Sequence, residues 1–156
     1  MIPKVTTRTR DKKIESSDNL ALAVAKLAKL LSQRDHSEKE LIQKLAVHFQ
    51  LEIIEKAIEC AKNNRWLAKE SELAEKVVQI LGRKKKGQLY IQNYLRRKGL
   101  PQVAFDRDQE MNNARNLLAR KFGSEIDFET KQRAYRFLAH RGFEDYIIRE
   151  VLYEKS

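Results

Sequence analysis

Two ten-residue stretches share one frame, and that frame restricts the fold more than any other feature of the chain. Ile91-Gln92-Asn93-Tyr94-Leu95-Arg96-Arg97-Lys98-Gly99-Leu100 and Ala134-Tyr135-Arg136-Phe137-Leu138-Ala139-His140-Arg141-Gly142-Phe143 both run apolar, apolar-apolar, basic-Gly-apolar. Apolar residues three and four apart share one face of a helix. A glycine behind a basic last turn ends a helix by taking up the left-handed conformation. Each stretch therefore reads as the end of an amphipathic helix, the same turn used twice. Leu41, Leu45 and Leu51 fit the frame a third time, with Gln50 in place of the glycine.

Leu45, Leu95 and Leu138 are thereby spaced by 50 and 43 residues, a period close to that of stacked three-helix units. The expectation is an all-α fold of three tandem three-helix repeats, nine helices in all. Such units bury their apolar faces only against one another, so they should stack into an elongated, curved body. The expected boundaries are 19–67, 68–108 and 109–156. Residues 1–18 carry Lys4, Arg8, Arg10, Lys12 and Lys13 without apolar periodicity and read as a flexible basic arm.

Local signals place the helices. Leu20, Val24, Leu27 and Leu31 form the first stripe, with Asp18 or Asn19 as its cap. Ser37-Glu38-Lys39-Glu40 reads as a capping box that opens the second helix, with Ser37 accepting from the Glu40 amide. Ile54, Ala57, Ile58 and Ala61 face the core from the third, and Trp66 and Leu67 are expected to form a hydrophobic lock after it. A fourth helix is expected from Glu70 to Leu81, and the basic helix of the Gly82 to Gly99 stretch follows it. Pro101 suits the first turn of a short helix carrying Val103 and Phe105. Met111, Ala114, Leu118 and Phe122 mark the next helix, Asp127 caps the one after it, and Ile147, Ile148, Val151 and Leu152 mark the last.

Charge points to the partner. No Asp or Glu occurs from Lys76 through Phe105, whereas Lys76, Arg83, Lys84, Lys85, Lys86, Arg96, Arg97 and Lys98 contribute +8 of the formal +10. A positive field this local attracts a polyanion and is more than a general solubility charge. Arg83, Lys84, Lys85, Lys86, Arg96 and Arg97 are therefore the main candidate contacts. Arg133, Arg136 and His140, on the outer face of the helix capped by Asp127, form a second basic stripe. Tyr90 and Tyr94, one turn apart beside these cations, are candidates for base stacking or for packing on Ile91.

Other chemistry is poorly represented. Gly82 to Gly87 is formally G-x-x-x-x-G, but Gln88 and Leu89 stand where a phosphate loop needs a lysine and a hydroxyl. His36, His48 and His140 are dispersed and Cys60 is the only cysteine, so there is no zinc spacing, no Cys/His pair and no internal disulfide. Glu38 and Glu40 fall on different sides of a helix, which argues against an acid/base pair. No catalytic residue, metal or cofactor is expected. There is also no apolar run of the roughly 20 residues that span a bilayer, and a soluble, cytoplasmic setting is expected.

Arg34-Asp35-His36-Ser37-Glu38-Lys39-Glu40-Leu41 with Lys44-Leu45 resembles the R-D-H/Y-S-x-x-E-L-x-x-K-L signature of the RecX family, the small regulatory proteins that modulate the RecA recombinase. Lys86-Gly87, Ile91, Leu95 and Lys98-Gly99-Leu100 resemble the second repeat of that family. Ala119-Arg120-Lys121-Phe122-Gly123, Lys131, Arg136-Phe137-Leu138 and Arg141-Gly142-Phe143 resemble its third. The resemblance runs from about Leu20 to Tyr153. It departs where Arg65-Trp66-Leu67-Ala68-Lys69 lacks an acidic pair, where Tyr90 replaces a basic residue, and where Tyr94 replaces a glutamate.

The resemblance implies a non-enzymatic protein that binds the RecA filament on single-stranded DNA, with duplex DNA as a second candidate ligand. It further implies inhibition of filament growth, ATP hydrolysis, strand exchange and cleavage of the SOS repressor. A monomer is the default state. Two rival readings stay open on the residues alone. One is a helical-repeat nucleic-acid-binding protein that works without RecA, and the other is an adaptor holding an acidic protein.

Overall fold

The computed structural model describes residues 16–153. Among them are eight α-helices: α1 (Ser16–Gln33), α2 (Glu38–Leu45), α3 (Leu51–Asn63), α4 (Glu70–Arg83), α5 (Gln88–Lys98), α6 (Arg107–Phe122), α7 (Phe128–Arg141) and α8 (Asp145–Tyr153). The chain divides into two compact units, Met1–Lys69 and Glu70–Ser156. Most of the expected basic arm over 1–18 lies outside the described residues, and α1 starts at Ser16, upstream of the expected cap at Asp18 or Asn19.

In the first unit, α1 packs chiefly on α3, with α2 against both. Ala23, Leu27, Leu41, Leu45, Ile54, Ala57, Ile58 and Ala61 form the core. The entry to α2 is the capping box read from the sequence. Ser37 Oγ accepts from the Glu40 amide at 3.1 Å, and the Ser37 amide donates to Glu40 Oε1 at 3.5 Å. The other carboxylate oxygen of Glu40 accepts from the Arg34 guanidinium at 2.6 Å. His36 is buried beside them with Nδ1 2.9 Å from the Arg34 carbonyl, and its burial holds the imidazole below its ordinary pKa. The most specific stretch of the sequence is thus a helix-entry device. Leu67 packs on this core, whereas Trp66 is 43% exposed and does not serve the buried role expected of it.

In the second unit, α6, α7 and α8 pack on one another around Met111, Ala114, Leu118, Ala134, Leu138, Phe143, Ile147 and Ile148. The α6 side chain of Arg107 pairs with Glu150 of α8, and the Tyr135 hydroxyl of α7 donates to Asp145. α4 packs on α5, which buries Ile91 and Leu95. Full burial of a side chain of this size contributes about 1.5–3 kcal/mol. Leu45, Leu95 and Leu138, the residues that set the repeat period, are each 0% exposed.

Four helices close in one way. After α3, α4, α5 and α7 the amides of Trp66, Lys86, Leu100 and Phe143 return to the carbonyls of Ala61, Leu81, Leu95 and Leu138 at 2.9–3.1 Å. Each closure needs a left-handed residue just before it. Gly99 (φ 67°) and Gly142 (φ 90°) supply it for α5 and α7, as the shared frame predicts. Arg65 (φ 57°) and Lys85 (φ 60°) supply it for α3 and α4, although they are not glycines.

Three expectations need correction. Gln50, placed in register with the two glycines, is instead the N-cap of α3 with φ −75°, and α2 ends at Ala46 in the right-handed conformation. The helix expected at Pro101 is absent, so eight helices stand where nine were expected among the described residues. Pro101 is compatible with a first helical turn, so the reason lies downstream of it. The Asp106 carboxylate accepts from the amides of Asp108 and Gln109 at 2.9 and 3.2 Å and opens α6 at Arg107, leaving too few residues for a separate helix. Lastly, the Gly82 to Gly99 stretch is not one helix. Arg83 ends α4, Lys84–Lys86 connect it to α5, and Arg96, Arg97 and Lys98 lie on the last turn of α5.

Candidate nucleic-acid interface

The turn between α4 and α5 is held against the end of α7 by close backbone approach and by two side chains. Gly87 packs so closely on the end of α7 that a Cβ there would lie 2.5 Å from the Gly142 carbonyl and the Phe143 nitrogen. A Cβ on Gly142 would lie 2.4 Å from Tyr90 Cβ and 2.7 Å from the Tyr90 nitrogen. This approach allows the Gly87 amide to donate to the Arg141 carbonyl at 2.8 Å and the Leu89 amide to the Gly142 carbonyl at 2.9 Å. The amide between them, on Gln88, donates to Glu110 Oε2 at 3.1 Å. The amides that open α5 are therefore satisfied by the carbonyls that close α7, positive helix end against negative.

Two consequences follow. The amides of Gly87, Gln88 and Leu89, where an anion would otherwise bind, are already bonded, which argues against the G-x-x-x-x-G stretch as a phosphate loop. The basic turn is also held rigidly against α7. Arg141 completes the joint, its Nη1 donating to the Lys84 carbonyl at 3.0 Å. Glu110 is 5% exposed, and its burial, with Glu144 nearby, raises its carboxyl above the ordinary value against the opposing pull of the Gln88 amide.

The joint gathers cations from both sides. Arg83, Lys84 and Lys85 are exposed and Lys86 is half-buried, its ammonium 4.6 Å from the Tyr90 ring centre. Across the joint, Arg141 and Lys121 lie 5.4 and 4.3 Å from the Phe137 ring centre. That ring is itself held edge-on by Phe122 at 5.8 Å. Arg120 and Lys85 line one hollow of about 330 Å³ with Asn113, Asn116, Leu117 and Ala119. Arg120, Lys121 and Arg141 were not singled out from charge in the sequence. Neighbouring acids such as Glu125 and Glu144 dilute their local sum, and only the A-R-K-F-G and R-G-F stretches marked them.

The remaining sequence candidates lie apart. Arg96 and Arg97 are exposed at the far end of α5, roughly 15 Å along its axis from the joint at 1.5 Å per residue. With Tyr90 and Asn93 they surround a second, shallower hollow of about 470 Å³, and Arg96 donates to Asn93 Oδ1 at 3.0 Å. The half-buried Tyr94 ring has the Arg97 and Lys98 cations of its own helix 5.8 and 5.6 Å from its centre. Arg133, Arg136 and His140 are exposed on α7. His140 adjoins the joint through Arg141, while Arg133 and Arg136 stand one to two turns back along the helix. No group of three or more His, Cys, Asp or Glu among the described residues is placed to hold a metal, and no described helix is long and apolar enough to cross a membrane.

Comparison with known proteins agrees with this architecture. Residues 23–59 match the model of the first three-helix domain of RecX, and residues 108–152 match that of its third. The regulatory protein RecX of Clostridioides difficile is 33% identical over 139 residues; the match covers 81% of this chain and 65% of that protein, so the chain spans just under two thirds of it. The regulatory protein RecX of Cronobacter sakazakii is 32% identical over 134 residues, covering 74% of this chain and 81% of that protein. The crystal structure of RecX from Lactobacillus salivarius superposes with a TM-score of 0.70 at 18% identity, covering 86% of this chain and 95% of that one, which supports the helical repeat fold. With the first and third domains matched in order and full-domain relatives above 30% identity, the chain belongs to the RecX family of regulatory proteins.

Proposed function

We propose that this protein is a cytoplasmic, non-enzymatic regulator that binds the RecA filament on single-stranded DNA and inhibits its growth, ATPase, strand-exchange and coprotease activities. The observation that carries this reading is the α5/α7 joint, which turns two separate basic segments into one rigid cationic surface inside a RecX-family fold. A surface of this kind meets phosphates without reading sequence, as a regulator of a filament on arbitrary DNA requires. In this reading Arg83, Lys84, Lys85 and Lys86 form the main contact, Arg96 and Arg97 extend it along α5, and Arg133, Arg136 and His140 extend it along α7. In this reading α4, α5 and the irregular 101–106 segment make up the second repeat, which lies in sequence between the two domains that the family models match. Contacts with several RecA protomers then add through effective concentration.

A second reading, in which the protein binds nucleic acid without RecA, is favoured by the hollow among Tyr90, Asn93, Arg96 and Arg97, where an aromatic edge and two guanidiniums converge. A competition experiment separates the two. Labelled protein is offered RecA filaments and an excess of naked oligothymidylate at the same salt. Retention on the filament supports the regulator, loss to the naked strand supports the second reading, and binding to neither supports an adaptor for an acidic protein.

A further inference from the structure

The hollow of about 330 Å³ between the basic turn and α6 differs from the rest of the cationic surface in being shaped. Asn113, Asn116 and Arg120 are spaced by three and four residues and so lie on one face of α6. Lys85 enters from the turn, and Ala119 and the buried Leu117 leave space between them. No carboxylate lines the hollow. Asn113 Oδ1 accepts from Gln109 Nε2 at 3.0 Å, so the donating end of this carboxamide is its Nδ2. The lining thus offers an ammonium, a guanidinium and carboxamide donors, the complement of a tetrahedral anion. Lys85 is also in the left-handed conformation at φ 60°, where glycine would be unstrained and where α5 and α7 do use glycine.

We propose that Lys85, Asn113, Asn116 and Arg120 form a seat for one backbone phosphate of single-stranded nucleic acid. The seat deepens the reading above and rests on its premise that the basic surface meets the strand. It differs from a diffuse positive field in depending on the empty volume over Ala119 as well as on charge.

The test therefore alters volume and charge separately. Ala119→Leu fills the hollow at an exposed helical position without changing charge or helix propensity. Lys85→Gly removes one cation and relieves the positive φ, so the fold is retained. Binding of fluorescent oligothymidylate is measured against salt for the wild type and both variants, with helicity monitored by circular dichroism. Ala119→Leu should weaken binding about tenfold at low salt, the loss expected for one charge-assisted phosphate contact. Lys85→Gly should weaken it comparably and reduce the slope of log K on log salt by about 0.7, the single-strand value for one phosphate. Either variant binding like the wild type at every salt overturns the seat, as does a wild type that fails to bind the strand. The same proteins are then assayed on RecA filaments. If the wild type ignores filaments while the bare-strand effects hold, the filament reading fails and the seat stands; if it binds filaments and the variants match it on bare strand, the reverse is true.

Discussion

Gly87 and Gly142 are small because a side chain on Gly87 would meet the Gly142–Phe143 backbone and one on Gly142 would meet Tyr90. Gly142→Ala would place a methyl group against the Tyr90 backbone at a positive φ, combining overpacking with left-handed strain. A loss of about 3 kcal/mol is expected in urea unfolding of the second unit, whereas Gly82→Ala, with nothing near its Cβ, should be neutral or slightly stabilising. Glu110 makes a second residue-scale prediction. Its carboxyl is raised above 4.5, so the folded state holds the proton more tightly than the unfolded state. Its contribution is therefore full at acidic pH and is lost as pH rises through the raised value. Glu110→Gln keeps an oxygen for the Gln88 amide and never ionises. The variant should match the wild type near pH 4 and become the more stable of the two toward pH 7, read as a widening difference in melting temperature. The frame around Gly142 was legible as a helix stop; its approach to Gly87 was not, because two glycines 55 positions apart carry no sequence signal of contact.

At the scale of elements, local rules located the helices well where caps and periodicity agree. The Ser37/Glu40 box, the Asp127 cap on Thr130 at 2.7 Å and the glycine stops of α5 and α7 all form as their residue types dictate. Ser37→Ala should destabilise the first unit by about 1–2 kcal/mol in thermal or urea unfolding, because it removes the acceptor for a buried amide at the entry to α2. Sequence reasoning failed where backbone geometry overrode composition. The Gly82 to Gly99 stretch is rich in helix-forming residues between its glycines, yet Lys85 breaks it in a conformation for which lysine is not a signal. Pro101 had the chemistry of a first helical turn, but the cap at Asp106 set the start of α6 instead. Trp66, read as core on the strength of its area, is held at a helix closure through its backbone while its ring stays partly exposed.

For the whole molecule, the charge distribution was the legible part of the candidate site and its assembly was the hidden part. The cluster from Arg83 to Lys86 is plain in the sequence, whereas Arg120, Lys121 and Arg141 join it only because α7 ends on the start of α5. In the proposed function, this joined surface brings the protein onto RecA filaments and restrains them. The most direct measurement is the steady-state ATPase of RecA on single-stranded DNA, titrated at fixed moderate salt with the wild type and with a variant carrying Arg83→Glu, Lys84→Glu, Lys85→Glu and Lys86→Glu. Inhibition by the wild type is expected well below one molecule per RecA protomer. The half-inhibitory concentration of the variant is expected to be at least about tenfold higher, because several phosphate contacts are reversed. An unchanged ATPase with wild-type protein that still binds naked DNA, or equal inhibition by the two proteins, would contradict the proposed function.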